Sequence, residues 1–125
     1  NNNSKIRTIY DKDGKTNNNV SKKIKKKSKL SKKEWVNYTK QIWDIPIPNK
    51  NDKAFGKHSA IMPEEIVRRC VRLFTFVDDI VLDPFAGSGT TLKVAKNLKR
   101  NYVGYEIVNS YKKIINAKTS QTTLI

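Results

Sequence analysis

The chain has 125 residues, enough for one small domain with a modest hydrophobic core. Lysine and arginine outnumber aspartate and glutamate 26 to 11, and the net charge of +15 indicates a polyanionic partner, nucleic acid before an anionic membrane surface. The single cysteine, Cys70, excludes an internal disulfide and a cysteine-rich zinc site, and no apolar run is long enough for a membrane span or a signal peptide. We therefore expect a cytoplasmic protein with no metal centre and no membrane partner. Its start at Asn1 rather than Met predicts a piece of a longer protein or a processed product.

The first third of the chain is strongly basic. Residues 1–53 hold fifteen of the 26 basic side chains but only five acids. Because like charges at high density repel each other, we predict that residues 21–33 form a flexible or surface-exposed segment. Contact with nucleic-acid phosphates is the functional interpretation, and a solvated tail without specific contacts is the alternative. The lysines concerned are Lys22, Lys23, Lys25, Lys26, Lys27, Lys29, Lys32 and Lys33.

The second half alternates helical and extended patterns. Apolar residues recur at helical spacing after Pro63 and predict a helix with Cys70 on its core side. The run "DIVLDPF", residues 79–85, is short and nearly all apolar, as in a buried parallel strand. A second helix is predicted in "TTLKVAKNLKR", a second buried strand in "NYVGYEI" and a third helix in "NSYKKIINAK". Strand, helix and strand form a βαβ unit, so the predicted fold class is α/β with a parallel sheet.

A glycine-rich turn, "DPFAGSGTT" at residues 83–91, follows the first predicted strand. A phosphate-binding P-loop requires Gly-Lys-Ser/Thr, whereas Gly89 is followed by Thr90. A dinucleotide fingerprint requires a third glycine where this chain has Leu92. A helix cap without a ligand would explain Ser88 or Thr90, but not two glycines after Asp-Pro-Phe.

S-adenosylmethionine is the remaining candidate ligand for this turn. Its carboxylate suits the N-terminal end of the helix that starts near Gly89, where free N–H groups and the helix dipole favour an anion. Asp83 can accept hydrogen bonds from the cofactor's ammonium, and Gly87 lacks a β-carbon that would block its approach. Glu106, at the end of the next strand, is placed to accept hydrogen bonds from both ribose hydroxyls.

Residues 57–107, with the motifs "KHSA", "DPFAGSGTT" and "GYE", closely resemble the C-terminal part of DNA amino-methyltransferases in the permuted motif order called class beta. With the aromatic stretch "EWVNYTKQIWDIPIP" the resemblance covers residues 34–115. It implies a partial Rossmann-like S-adenosylmethionine-dependent methyltransferase fold, a parallel sheet with flanking helices. Ser59 departs from the family, which usually has proline there. The implied cofactor contacts are Lys57, His58, Ser59 and Ala60 at the methionine end, Asp83, Phe85, Gly87, Ser88, Gly89, Thr90 and Thr91 in the cofactor loop, and Glu106 at the ribose.

The catalytic motif of this family consists of Asp, Asn or Ser followed by Pro-Pro and an aromatic residue, and no Pro-Pro pair occurs here. In the family this motif holds the target amine while its aromatic ring stacks on the flipped base. We therefore predict no catalytic residue in this chain and no activity of the chain alone. The catalytic half is expected upstream of Asn1 or on a partner chain.

The class beta order also implies the domain organisation and the function. Residues 1–50 are expected to be the basic, partly flexible end of a target-recognition region on double-stranded DNA, and residues 51–125 the S-adenosylmethionine-binding part of the methyltransferase domain. The implied reaction is methyl transfer to N6 of adenine or N4 of cytosine, mostly within restriction–modification systems. The alternatives are a non-catalytic nucleic-acid-binding remnant of a broken or split gene and a part of an RNA or small-molecule methyltransferase.

Overall fold

The structure, a computed structural model, describes residues 20–47, 50, 56 and 60–120. The predicted order of helix, strand, helix, strand and helix in the second half of the chain is confirmed. No helix in the described part of the chain is long and apolar enough to cross a membrane. The described elements, in chain order, are α1 (Lys22–Ser28), α2 (Lys32–Tyr38), α3 (Glu64–Phe74), β1 (Ile80–Asp83), α4 (Thr90–Asn97), β2 (Asn101–Gly104) and α5 (Asn109–Ser120).

The lysine-rich segment forms two short, capped helices. The Ser21 hydroxyl accepts a hydrogen bond from the Ile24 N–H at 3.3 Å and caps α1. Ser31 and Glu34 form a reciprocal capping box at the start of α2. Hydrogen bonds from the Ser31 backbone and hydroxyl, with the nearby Arg72, lower the pKa of the Glu34 carboxyl despite its partial burial. Capping therefore gives helical order to a segment whose lysines are exposed, as predicted.

The basic segment is attached to α3 through aromatic and arginine side chains. Tyr38 is buried, and its hydroxyl accepts a hydrogen bond from Arg68 at 2.7 Å. The Arg69 guanidinium lies over the Trp43 ring, 5.1 Å from its centroid. Arg72 forms an ion pair with Glu34 at 3.1 Å. The arginine face of α3 thus holds the preceding helices in place.

The hydrophobic core lies between α3 and α4. Val67 and Val71 of α3 and Val94 of α4 are buried, and Val81 and Leu98 pack against them. Glu64 and Glu65 lie in the first turn of α3, where carboxylates stabilise the positive end of a helix. Cys70, expected on the core side of this helix, is only partly buried.

The sheet consists of β1 and β2, which pair in parallel from Ile80 opposite Asn101 to Asp83 opposite Gly104. Helix α4 packs on both strands and also on α3 and α5. A β-carbon on Gly104 would lie 2.7 Å from a methyl carbon of Leu92, so glycine here permits close packing of α4 on the sheet.

The prediction that both strands are buried is wrong. In β1 exposed and half-buried residues alternate, and all four residues of β2 are exposed. Ile80 and Leu82, on the face opposite α4, are 48% and 59% exposed. The reason is that α4 covers one face of the sheet, and within the described residues no second layer buries the other.

We predict that Gly104→Ala lowers the free energy of unfolding by about 1–3 kcal/mol, because the new methyl group overpacks the contact with Leu92. In a Leu92→Ala background the same change should cost less, since its main steric partner is gone. Chemical denaturation of the unchanged protein, the two single variants and the double variant measures both differences. An equal loss in the two backgrounds would show that the Leu92 contact is not the cause.

Candidate functional site

The glycine turn, residues 83–91, has a backbone that requires glycine at two positions. Gly87 and Gly89 have φ angles of 51° and 79°, in the left-handed region that other residues rarely adopt. Gly89 is the N-cap residue of α4, and its N–H donates to the Ala86 carbonyl at 2.7 Å. A β-carbon on Gly89 would also lie 2.9 Å from Cγ1 of Ile115. The turn itself therefore requires both glycines, apart from the space that they leave for a ligand.

Three hydrogen bonds attach the glycine turn to the residues that follow β2. The Tyr105 N–H donates to the Asp83 carbonyl at 3.0 Å, and the Ala86 N–H donates to the Tyr105 carbonyl at 2.9 Å. The Gly87 N–H donates to Oε2 of Glu106 at 2.8 Å, while Oε1 of Glu106 accepts from the Val108 N–H at 2.7 Å. Each carboxylate oxygen has two lone pairs, so Glu106 can still accept hydrogen bonds from a ligand.

Asp83 and Glu106 are both placed at the carboxyl edge of the sheet. Asp83 ends β1 and pairs with Gly104, two residues before Glu106. Its Oδ1 accepts a hydrogen bond from the Phe85 N–H at 3.0 Å, and the residue is half-buried. Ligands of open α/β sheets bind at this edge, beyond the carboxyl ends of the strands. Two acceptor-rich carboxylates here suit a ligand with ammonium and hydroxyl donors.

The side chains of Ser88 and Thr90 contact α5 rather than solvent. Ser88 and Thr90 are only 5% and 4% exposed. Lys118 Nζ lies 3.3 Å from the Ser88 hydroxyl and 3.5 Å from the Thr90 hydroxyl. Thr91 is half-buried, whereas Phe85 is 88% exposed beside the turn. The seven predicted turn residues are thus brought together, but Ser88 and Thr90 direct their side chains inward.

Sequence reasoning missed Lys118, which is 2% exposed. In "NSYKKIINAK" it looks like one of several outward-facing lysines. The sequence signal that could have indicated its burial was its position three residues after Ile115, on the same face of a helix.

The upstream part of the predicted cofactor site is only partly described. Lys57, His58 and Ser59 lie outside the described residues, and their cofactor contacts stay predictions. Ala60 is described and exposed. Among the described residues, no group of three or more His, Cys, Asp or Glu side chains could hold a metal ion.

All eight predicted DNA-binding lysines are exposed, and we call them the lysine surface. Five of them lie on α1, where the half-buried positions are Ile24 and Ser28. The Ser28 hydroxyl accepts a hydrogen bond from the Val77 N–H at 2.8 Å. One side of α1 thus contacts the folded part of the chain, and the rest presents lysines to solvent.

Solved structures resemble this chain in sequence and fold, and curated proteins resemble it in sequence. TTHA0409 of Thermus thermophilus, solved in complex with S-adenosyl-L-methionine, matches with a TM-score of 0.69 at 36% identity, over 81% of this chain and 37% of that one. This similarity confirms the predicted fold class, a partial Rossmann-like α/β fold. The type II methyltransferase M.MjaI of Methanocaldococcus jannaschii is 45% identical over 91 residues, which are 73% of this chain and 30% of M.MjaI. The type II methyltransferase M.BglI of Bacillus subtilis is 40% identical over 91 residues, 72% of this chain and 25% of M.BglI.

The chain therefore spans well under half the length of each of these proteins. A family model for DNA methylases, of the N6/N4 methyltransferase type, matches residues 1–117. That match includes the basic segment, the glycine turn and both strands of the sheet. On this evidence the chain belongs to the DNA methylase family.

Proposed function

We propose that this chain is the cofactor-binding part of a site-specific DNA amino-methyltransferase of a restriction–modification system. The enzyme would transfer a methyl group from S-adenosylmethionine to the exocyclic amine of adenine (N6) or cytosine (N4). The observation that carries this proposal is the glycine turn attached to the end of β2, with Asp83 and Glu106 at one edge of the sheet. The type II methyltransferase relatives and the S-adenosylmethionine complex of TTHA0409 support it.

The groups at this edge fit the polar parts of S-adenosylmethionine. The first N–H groups of α4 and its dipole favour the cofactor's carboxylate, and Asp83 would accept from its ammonium. Glu106 would accept from the ribose hydroxyls with the lone pairs that the Gly87 and Val108 N–H groups leave unused. Exposed Phe85 offers an apolar surface for the adenine ring. When bound, the cofactor supplies an activated sulfonium methyl group.

We place the segment Lys57, His58, Ser59 and Ala60 at the methionine end of the cofactor. The support is the resemblance of "KHSA" to the family motif together with its position just before α3. Helix α3, which follows this segment in the sequence, is connected to the site, since Lys93 of α4 forms an ion pair with Glu64 of α3 at 2.6 Å.

The groups that hold the target base would come from a catalytic half, upstream on the same polypeptide or on a partner chain. The sequence contains no Pro-Pro pair, and the relatives are more than twice as long as this chain. We propose that this catalytic half docks on the open face of the sheet. Ile80 and Leu82 lie on this face, and the parallel register places Val103 beside Leu82 on the same side. These three side chains are 42–59% exposed, an apolar area that a folded partner would cover.

We further propose that residues 1–50 are the end of the target-recognition region and residues 51–125 the cofactor-binding part. The lysine surface would contact the phosphates of double-stranded DNA. Flexible lysines on the DNA backbone supply affinity that depends on salt, and they discriminate little between sequences. The attachment of α2 to α3 fixes this surface relative to the cofactor-binding part.

We predict that Asp83→Ala and Glu106→Ala each weaken S-adenosylmethionine binding by about 1–3 kcal/mol, because a cofactor donor loses its acceptor. Glu106→Gln should give a smaller loss, since it keeps one oxygen for the Gly87 N–H. Calorimetry on the chain, alone or joined to its catalytic half, measures this, with the exposed Asp44→Ala as control. Unchanged affinity in both alanine variants would remove the cofactor assignment and favour a non-catalytic remnant.

Replacing four residues of the lysine surface by Gln should weaken DNA binding about equally for all sequences. The slope of log affinity against log salt should also flatten by about 0.9 for each phosphate that a lysine no longer neutralises. The control variant changes three exposed lysines outside residues 1–50, Lys99, Lys112 and Lys113, to Gln. If both variants shift the slope equally per lysine changed, the effect is one of overall charge and the lysine surface is not a specific contact.

The chain alone should transfer no methyl group to DNA, because its sequence lacks the Pro-Pro-aromatic motif that holds the target amine in line with the donor. Addition of the catalytic half should restore activity and solubility, whereas Leu82→Glu on the open face should prevent that restoration. The assay is incorporation of labelled methyl into unmodified genomic DNA. Robust incorporation by the 125 residues alone would refute the proposed division of the active site.

A further inference from the structure

One face of α5 supports the glycine turn. A β-carbon on Gly89 would lie within 2.9 Å of Ile115, so the turn is in close contact with this helix. Lys118, three residues further on, reaches the hydroxyls of Ser88 and Thr90 on the two sides of Gly89, at 3.3 and 3.5 Å. Residues three apart on a helix share a face, which explains why both side chains meet the same turn.

Lys118 is buried far more deeply than lysine usually is. It is 2% exposed, whereas Lys112 and Lys113 of the same helix are exposed. Burying an ammonium group costs several kcal/mol unless hydrogen bonds and charges compensate. An apolar side chain such as that of Ile115 would be enough to pack α5 on the turn. The hydrogen bonds of Lys118 to Ser88 and Thr90 compensate part of this cost and restrain the turn in a way that an apolar side chain could not.

The location of Lys118 specifies what this restraint affects. Thr90 is the first residue of α4, where the helix dipole is positive and where the first N–H groups point away from the helix. The ammonium adds positive charge at this end of the helix, and its contacts with Ser88 and Thr90 restrain the residues on either side of the N-cap. Both effects act on an anionic group bound at the turn.

We propose that Lys118 is a positioning residue for the carboxylate end of S-adenosylmethionine. This inference rests on the proposed function, since it assigns the methionine part of the cofactor to the glycine turn. Lys118 acts through Ser88 and Thr90 and through its charge, so its influence is confined to the amino-acid part of the ligand. The adenosine part, assigned to Glu106 and Phe85, should not respond to its removal.

Two ligands distinguish the amino-acid part of the cofactor from its adenosine part. S-adenosylhomocysteine carries the amino-acid part, and 5′-methylthioadenosine lacks it. The variant Lys118→Met removes the ammonium and its hydrogen bonds but keeps a side chain of similar length. The control, Lys113→Met, makes the same change in charge on the exposed side of α5. Affinities are measured by calorimetry on the chain, alone or joined to its catalytic half, well below the unfolding temperature of each variant.

Lys118→Met should weaken S-adenosylhomocysteine binding by about tenfold or more, as expected for the loss of an interaction with a charged group, and leave 5′-methylthioadenosine binding unchanged. Lys113→Met should change neither affinity. Equal losses for both ligands, or no loss at all, would overturn the positioning role and leave Lys118 a structural residue.

If Lys118→Met does not fold, Ser88→Ala gives the second test, because it removes one partner of the ammonium. It should reproduce the same ligand dependence more weakly, and a loss shared by both ligands would overturn the inference. Failure of the unchanged protein to bind either ligand is a different result, since it would refute the proposed cofactor site itself.

Discussion

The hydrogen bonds between the glycine turn and the two residues after β2 are the constraint on which the candidate site depends. They tie the carbonyl of Asp83, the N–H of Ala86 and the N–H of Gly87 to Tyr105 and Glu106. Without them the N-terminal end of α4 and the Glu106 carboxylate would be free to move apart. With them, a helix end that favours anions and two carboxylates that favour donors occupy one edge of the sheet.

Helix α4 transmits this constraint to the rest of the chain. It packs on both strands, on α3 and on α5, so its position is determined from three sides. Its approach to the sheet depends on Gly104, and the turn before it depends on the contact of Gly89 with Ile115. Arg100, which is buried, fastens the end of α3 to the loop before β2 through Thr75. Burial lowers the pKa of its guanidinium.

The contacts that join the basic segment to α3 differ in kind from the apolar contacts of the hydrophobic core. Tyr38 and Trp43 meet the arginines of α3 through a hydrogen bond and a cation–π contact, and Glu34 pairs with Arg72. These polar and aromatic contacts leave the lysines exposed. The open face of the sheet is the opposite case, since its apolar side chains are exposed although such residues are usually buried. A lysine surface and an apolar face on one small chain agree with the proposed contacts to DNA and to a catalytic half.

The sequence by itself was sufficient for the order of elements, the parallel βαβ unit and the family. Apolar periodicity marks α3 and α4, and "DPFAGSGTT" has few alternative interpretations because its glycines and acid must stand at set positions. Only the tertiary structure showed that β2 and alternate residues of β1 remain exposed, because burial depends on which layers are present and not on a strand's own residues. It also showed that Ser88 and Thr90 point towards α5 and that Lys118 is buried in contact with them. Those contacts join residues 28 and 30 positions apart, and a local pattern contains no information on such a distant partner.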